Sequence, residues 1–117
     1  MKYYYKLITK QDVTKSFVLN QRAVQYFFNL ALIEHGDEDI VKIEFNDSLL
    51  LAKVILHQDT RLLLQNRKFQ EGEIAFFTKK NDGHFLLEII NEITMINRVK
   101  INLNNQNFYL SNTIIEL

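Results

Sequence analysis

The chain is 117 residues long, 47% apolar and 24% charged, which sets disorder aside and fits one globular domain with an ordinary core. It has no cysteine, which excludes a disulfide framework, a thiolate metal site and a cysteine nucleophile, and is compatible with a reducing compartment. Fourteen basic and fourteen acidic residues cancel, a total less basic than is usual for a nucleic-acid domain.

No apolar run approaches the length of a membrane span, and no signal-peptide core opens the chain, so a soluble protein with no membrane partner is expected. The cancelling total hides segregation. Residues 1–22 carry Lys2, Lys6, Lys10, Lys15 and Arg22 against Asp12, a balance of +4. Residues 34–47 carry Glu34, Asp37, Glu38, Asp39, Glu44 and Asp47 against Lys42, a balance of −5. Such a chain either presents one basic face or places these charges in solvated loops.

The pattern is strand-rich throughout. Residues 3–9 are aromatic and β-branched and read as a strand. They enter a polar arm, Thr9 to Ser16, and a short apolar strand at 16–19 leaves it. A two-stranded ribbon with a polar, basic tip fits the DNA major groove. Asn20 caps a helix running to about Leu32, with Val24, Phe27, Phe28 and Ala31 on its core face. After a loop at His35–Glu38, Ile40 to Phe45 alternates as a half-buried strand. Asn46-Asp47-Ser48 turns it into a second strand ending at His57.

A second polar arm, His57 to Arg61, leads to the apolar run Leu62–Leu64. Asn66 to Phe69 is expected to form a short helical turn before Glu71-Gly72-Glu73. Ile74–Phe77 and Phe85–Ile90 pair across Asp82-Gly83, a strong hairpin signal. Residues 91–117 hold strand-like pieces at Val99–Leu103 and Phe108–Leu110, either an added hairpin or a connection to a further domain. The sum is a mainly β fold of about seven strands and two short helices, a small barrel or open pseudobarrel.

This order of parts resembles the B3 DNA-binding fold, shared by plant transcription factors and the target-recognition domains of bacterial restriction endonucleases. The residues that carry the resemblance are Lys6-Leu7-Ile8-Thr9-x-x-Asp12-Val13-x-Lys15, then Val18-Leu19 leading into a helix through Phe27, and Glu71-Gly72-Glu73-Ile74-x-Phe76-x-x-Lys79. It covers about residues 4–90. Two features depart from the pattern: Asn20-Gln21-Arg22 stands where a proline is expected, and plant members are more basic. The Asn, Ile and Lys usage fits a bacterial protein. Among bacterial relatives the chain looks most like effector domains of restriction enzymes, including N-terminal domains of McrBC-like, LlaJI-type subunits.

The resemblance implies a seven-stranded open pseudobarrel of the B3 type with two short helices over residues 1–90. Residues 91–117 would be an extension of it. It further implies an N-terminal piece of a larger cytoplasmic protein, partnered by double-stranded DNA and by the motor and nuclease subunits of a restriction complex. In that family two arms enter the major groove. Here the N-arm is Thr9 to Ser16 and the C-arm is His57, Gln58, Asp59, Thr60 and Arg61.

Gln11, Asp12 and Thr14 have the chemistry to read base edges, while Lys10 and Lys15 suit phosphates and Ser16 completes the arm. Asp12 alternatively braces the arm through its own backbone. Arg61 reads guanine bidentately or pairs with Asp59. Asn20, Gln21 and Arg22 stand at a helix N-terminus that attracts phosphate, with plain capping the likelier job of Asn20. Arg67 and Lys68 either add phosphate contacts or line a solvated turn, and Lys79 and Lys80 are solvated. His57 either touches DNA or ends a strand half-buried.

No catalytic role is expected, and no cofactor. The three histidines lack metal-ligand spacing, no nucleophile–base set is arguable, and Glu71 and Glu73 flank a structural turn. Two alternatives stand beside DNA-site recognition. One is a reader of a modified base, for which Tyr3, Tyr4 and Tyr5 are available although strand packing explains them more simply. The other is a protein-assembly domain, drawn from the neutral charge and the acidic 34–47 segment.

Overall fold

The computed structural model describes residues 1–14, 16–64, 69–99 and 113–116. The elements are β1 (Lys2–Leu7), α1 (Lys10–Thr14), β2 (Phe17–Leu19), a wide helical turn (Ala23–Phe27), β3 (Glu38–Phe45), β4 (Ser48–Leu56), β5 (Thr60–Leu63), β6 (Ile74–Lys79), β7 (Phe85–Ile90), α2 (Glu92–Val99) and β8 (Thr113–Glu116). The strands form one mixed sheet, β2-β5-β4-β3-β7-β6-β1-β8, curled into an open half-barrel. The mainly β expectation holds, but the described sheet has eight strands rather than seven. The additional strand is β8, which lies antiparallel to β1 with Ile115 opposite Tyr3.

Alternation explains β3: Val41, Ile43 and Phe45 face the core while Ile40 and Lys42 are exposed. Asn46 and Asp47 both adopt positive φ, 50° and 63°, which is the two-residue turn that matches strand twist and pairs Phe45 with Ser48. The β6–β7 hairpin closes at Lys80–His84, where Gly83 supplies φ 87°.

Strand β1 breaks the alternation because both of its faces are covered. Tyr4 points into the barrel with Phe77, Phe27 and Phe28, its ring stacked 5.7 Å from Phe77. Tyr5 points the other way into a smaller core with Ile74, Phe76, Ile90 and Met95 of α2. Asn91 starts α2, its side-chain oxygen accepting the Thr94 N–H at 2.8 Å.

Three sequence expectations are corrected. The segment after β1 is not a ribbon: β1 pairs with β6 and β8, β2 pairs with β5, and α1 lies between them. The helix after Asn20 ends at Phe27 rather than near Leu32, because Asn29 takes a left-handed φ of 57° and turns the chain away. Ala31, expected on its core face, is exposed. Val99, expected to begin a strand, ends α2. The remainder of that strand, the Phe108–Leu110 piece and most of the Asn66–Phe69 turn lie outside the described residues.

Candidate nucleic-acid interface

The N-arm is built from beneath by a buried ion pair. Thr9 and Asp12 form a reciprocal cap on α1. Asp12 Oδ2 accepts the Thr9 N–H at 2.8 Å and its hydroxyl at 3.1 Å, and Thr9 Oγ1 accepts the Asp12 N–H at 3.4 Å. Asp12 Oδ1 accepts the Val18 N–H at 2.9 Å and the Lys6 ammonium at 2.7 Å. Lys6 Nζ also donates to the Val18 carbonyl at 2.8 Å. One lysine therefore bridges β1, α1 and β2 across the open side of the barrel. The Asp12 side chain is 0% exposed. Of the two roles weighed for Asp12, the geometry is that of the brace, with both oxygens occupied inside the fold.

Burial pulls the Lys6 ammonium below its ordinary range; the bond to Asp12 opposes this and the nearby Arg61 charge adds to it. Burial likewise pushes the Tyr4 phenol up, helped by the Asp12 charge and opposed by a backbone bond from Asn20. The Gly72 turn anchors the same corner: its N–H donates to the Ile8 carbonyl at 2.9 Å, and Ile8 N–H donates to Glu73 O at 2.8 Å. Gly72 needs its φ of 94° for that turn.

On the arm itself Lys10, Gln11 and Thr14 are exposed, while Ser16 is buried. The Thr14 hydroxyl donates back to the Lys10 carbonyl at 3.1 Å. Lys15, Arg67 and Lys68 lie outside the described residues.

The C-arm is a tight turn in which His57 N–H donates to Asp59 O at 3.0 Å. His57 and Gln58 are exposed, and Asp59, Thr60 and Arg61 are half-buried. Arg61 forms a fork with Asp59: Nε donates to Oδ1 at 2.9 Å and Nη2 to Oδ2 at 3.0 Å. Arg61 Nη1 is buried with no hydrogen-bond partner among the described residues. His35, assigned to a plain loop from sequence, packs its ring 4.8 Å from that of His57. No spacing rule flags that contact, because it depends on the 33–37 turn folding back onto the end of β4.

Asn20 caps as expected, its side-chain oxygen accepting the Ala23 N–H at 2.7 Å. Gln21 and Arg22 are exposed beside it, with the Arg22 guanidinium 6.0 Å from the Tyr26 ring centre. A groove of about 510 Å³ joins this helical turn to the C-arm, bringing Gln21, Gln58, Asp59 and Thr60 together over Leu19, Val24 and Leu56.

Register separates the thirteen described candidates into two sets. In the antiparallel β2–β5 pair Phe17 faces Leu62 and Leu19 faces Thr60. The N-arm therefore leaves one end of the pair, and the C-arm, with Asn20–Arg22, leaves the other. Ser16 and the level of Asp59 are about four residues apart along the strands, roughly 13 Å. Of the acidic residues, Glu44, Asp47, Glu73 and Glu88 line a hollow of about 570 Å³, whereas Glu34 and Asp37 lie in the turn that folds back beside the C-arm. The buried Lys6–Asp12 pair cancels itself, so the +4 of residues 1–22 rests on Lys2, Lys10, Lys15 and Arg22.

Among the described residues there is no group of three or more His, Cys, Asp or Glu able to hold a metal ion. No helix among them is long and apolar enough to cross a membrane.

No family model matches the chain, and no curated protein matches it. The fold does match a solved structure, the N-terminal domain of Helicobacter pylori LlaJI.R1, with a TM-score of 0.67 and 20% identity over 100% of this chain and 99% of that one. At that identity the likeness is one of fold.

Proposed function

We propose that the chain is a sequence-specific double-stranded DNA-binding module of a bacterial restriction system. In this reading two arms enter the major groove, and cleavage belongs to other domains or subunits. The observation that supports it most is the placement of two polar arms at opposite ends of the β2–β5 pair. Asp12 ties the two together, accepting the N–H of Val18, which pairs directly opposite Arg61. The fold likeness to the LlaJI.R1 N-terminal domain supports the restriction context.

Within this reading Gln11, Thr14, Gln58 and Thr60 present polar tips toward base edges, with Arg61 the guanine reader. Lys10, Lys15, Gln21, Arg22, Arg67 and Lys68 serve phosphates, and His57 sits at the C-arm rim. Asp12 acts from below by holding the N-arm, and Asn20 by capping.

The test is fluorescence anisotropy with a random duplex library across a salt series, followed by sequencing of the bound fraction. Salt-dependent binding with one enriched short motif is expected, and no retention at low salt would overturn the reading. On the enriched site Arg61→Ala should cost about 1–3 kcal/mol while barely changing random-site affinity. An equal loss on both would make Arg61 a phosphate contact.

A protein-assembly role draws on a different observation. The outer face of β3 and β4 leaves Ile40 52%, Leu49 59% and Leu51 70% exposed. Self-association without DNA retardation would favour it. Of the tyrosines available to a modified-base reader, Tyr4 and Tyr5 are each 0% exposed in the two cores and Tyr3 packs against the smaller one.

A further inference from the structure

We infer that Asp59 is a specificity-determining residue, holding the Arg61 guanidinium off DNA until a correctly placed guanine edge replaces its carboxylate. The inference rests on the DNA reading above.

Arg61 lies on the outward side of β5, opposite Val18 and Ile55, while its neighbour Leu62 is 0% exposed on the core side. Asp59 stands two positions earlier, so both side chains leave the same face of the chain. Reading guanine needs two adjacent N–H groups directed at N7 and O6. The Nε–Nη2 edge is taken by Asp59, and Nη1 is buried. No edge of the guanidinium is therefore free to read a base while the fork is closed.

Two features make the fork exchangeable. The Asp59 side chain is 39% exposed, so solvent and salt weaken the pair, whereas the Arg61 side chain is only 17% exposed. The orphaned Nη1 is an unmade hydrogen bond in the closed state that swinging outward recovers.

A closed Asp59–Arg61 pair is also neutral, so it adds nothing to the non-specific attraction of phosphates. At a wrong base pair the carboxylate stays in place. At the right one N7 and O6 take over both donors. Asp59 thus removes Arg61 from random-site binding and returns it only at a match, which is discrimination by withholding rather than by added contacts.

The experiment compares wild type, Asp59→Asn, Arg61→Ala and the double variant, each on the enriched site and on a random duplex across a salt series. Folding is checked by thermal melting. Asp59→Asn should raise random-site affinity about two- to fivefold and steepen its salt dependence by about one phosphate equivalent. It should change cognate affinity less, so the specificity ratio falls. In the Arg61→Ala background the same substitution should change neither affinity.

Three results overturn the inference: a cognate loss as large as that of Arg61→Ala, which makes Asp59 a buttress; an equal gain without Arg61, which makes it simple repulsion; or no effect. Wild type that enriches a motif while Asp59→Asn behaves identically overturns this inference alone. Wild type that binds no duplex overturns the DNA reading and this inference with it.

Discussion

Among the described residues, Lys6 and Asp12 are the buried charged pair. Their side chains are 5% and 0% exposed, so removing one partner leaves the other charged in a site it cannot leave. Asp12→Ala is expected to lower stability by about 3–5 kcal/mol in urea unfolding. Replacing the pair together, Lys6→Met with Asp12→Leu, should recover part of that loss, the unrecovered part being the cap on α1. A single Asp12→Ala loss under about 1 kcal/mol would show that water reaches the pair.

Asp37 gives a second residue-level expectation. Its carboxylate accepts the Glu34 and Ile33 N–H groups at 2.8 and 2.9 Å, and these bonds hold it below its ordinary 3.8. Because the folded value is the lower one, its stabilisation is complete above 3.8 and is lost as pH falls through the depressed value. The melting-temperature gap between wild type and Asp37→Asn should therefore narrow as pH falls below 3.8.

At this scale the sequence offered Asp59 as a partner for Arg61 and a bracing role for Asp12, but it named neither Lys6 nor Thr9 as the partner of Asp12. Thr9-x-x-Asp12 carries the cap, and Asp59-x-Arg61 carries the fork, yet each spacing serves a surface role equally well. What decides is burial, which is set by strands distant in sequence.

Among the elements, both hairpins were legible because alternation and turn chemistry are local: Val41, Ile43 and Phe45 with Asn46-Asp47, and Phe85–Ile90 after Asp82-Gly83. The helix stop at Asn29 was not, since asparagine tolerates a left-handed φ without announcing it. Helix α2 was missed although Asn91-Glu92 is a fair N-terminal signal. Among its described side chains only Met95 is fully buried, too little to set a visible apolar stripe, and Ile93 is 71% exposed. Met95→Ala should nonetheless cost about 2–5 kcal/mol, because it removes a fully buried side chain from the smaller core against Tyr5 and Phe76. Urea midpoints followed by tyrosine fluorescence and by circular dichroism should shift together, marking α2 as part of the cooperative unit.

For the whole molecule, the charge pattern meant less than its arithmetic implied, since Glu34 and Asp37 of the acidic segment fold back beside the C-arm instead of lying apart from it. The mainly β class and the order of parts were readable. The strand count was not, because β8 belongs to the sheet only through β1, 100 or more positions away in sequence. A chain ended after Ile90 is expected to leave one edge of β1 unpaired and the Tyr5 face uncovered, and so to melt lower and aggregate on heating. Equal melting of the shortened and full chains would make residues 91–117 dispensable to the fold.

The single parallel joint, Ile43–Phe85 and Glu44–Leu86, divides the sheet into two antiparallel leaves of four strands. One leaf, β2 to β5, is continuous in sequence; the other needs β1 from the beginning and β6 to β8 from the end. As the chain emerges from a ribosome, the first leaf has all its strands by residue 63, while β1 waits with its tyrosines exposed for partners not yet made. Pulse-labelled refolding should accordingly protect the β3–β4 amides before those of β1. The C-arm belongs wholly to the first leaf while the N-arm joins one leaf to the other, so the two arms acquire their final spacing last.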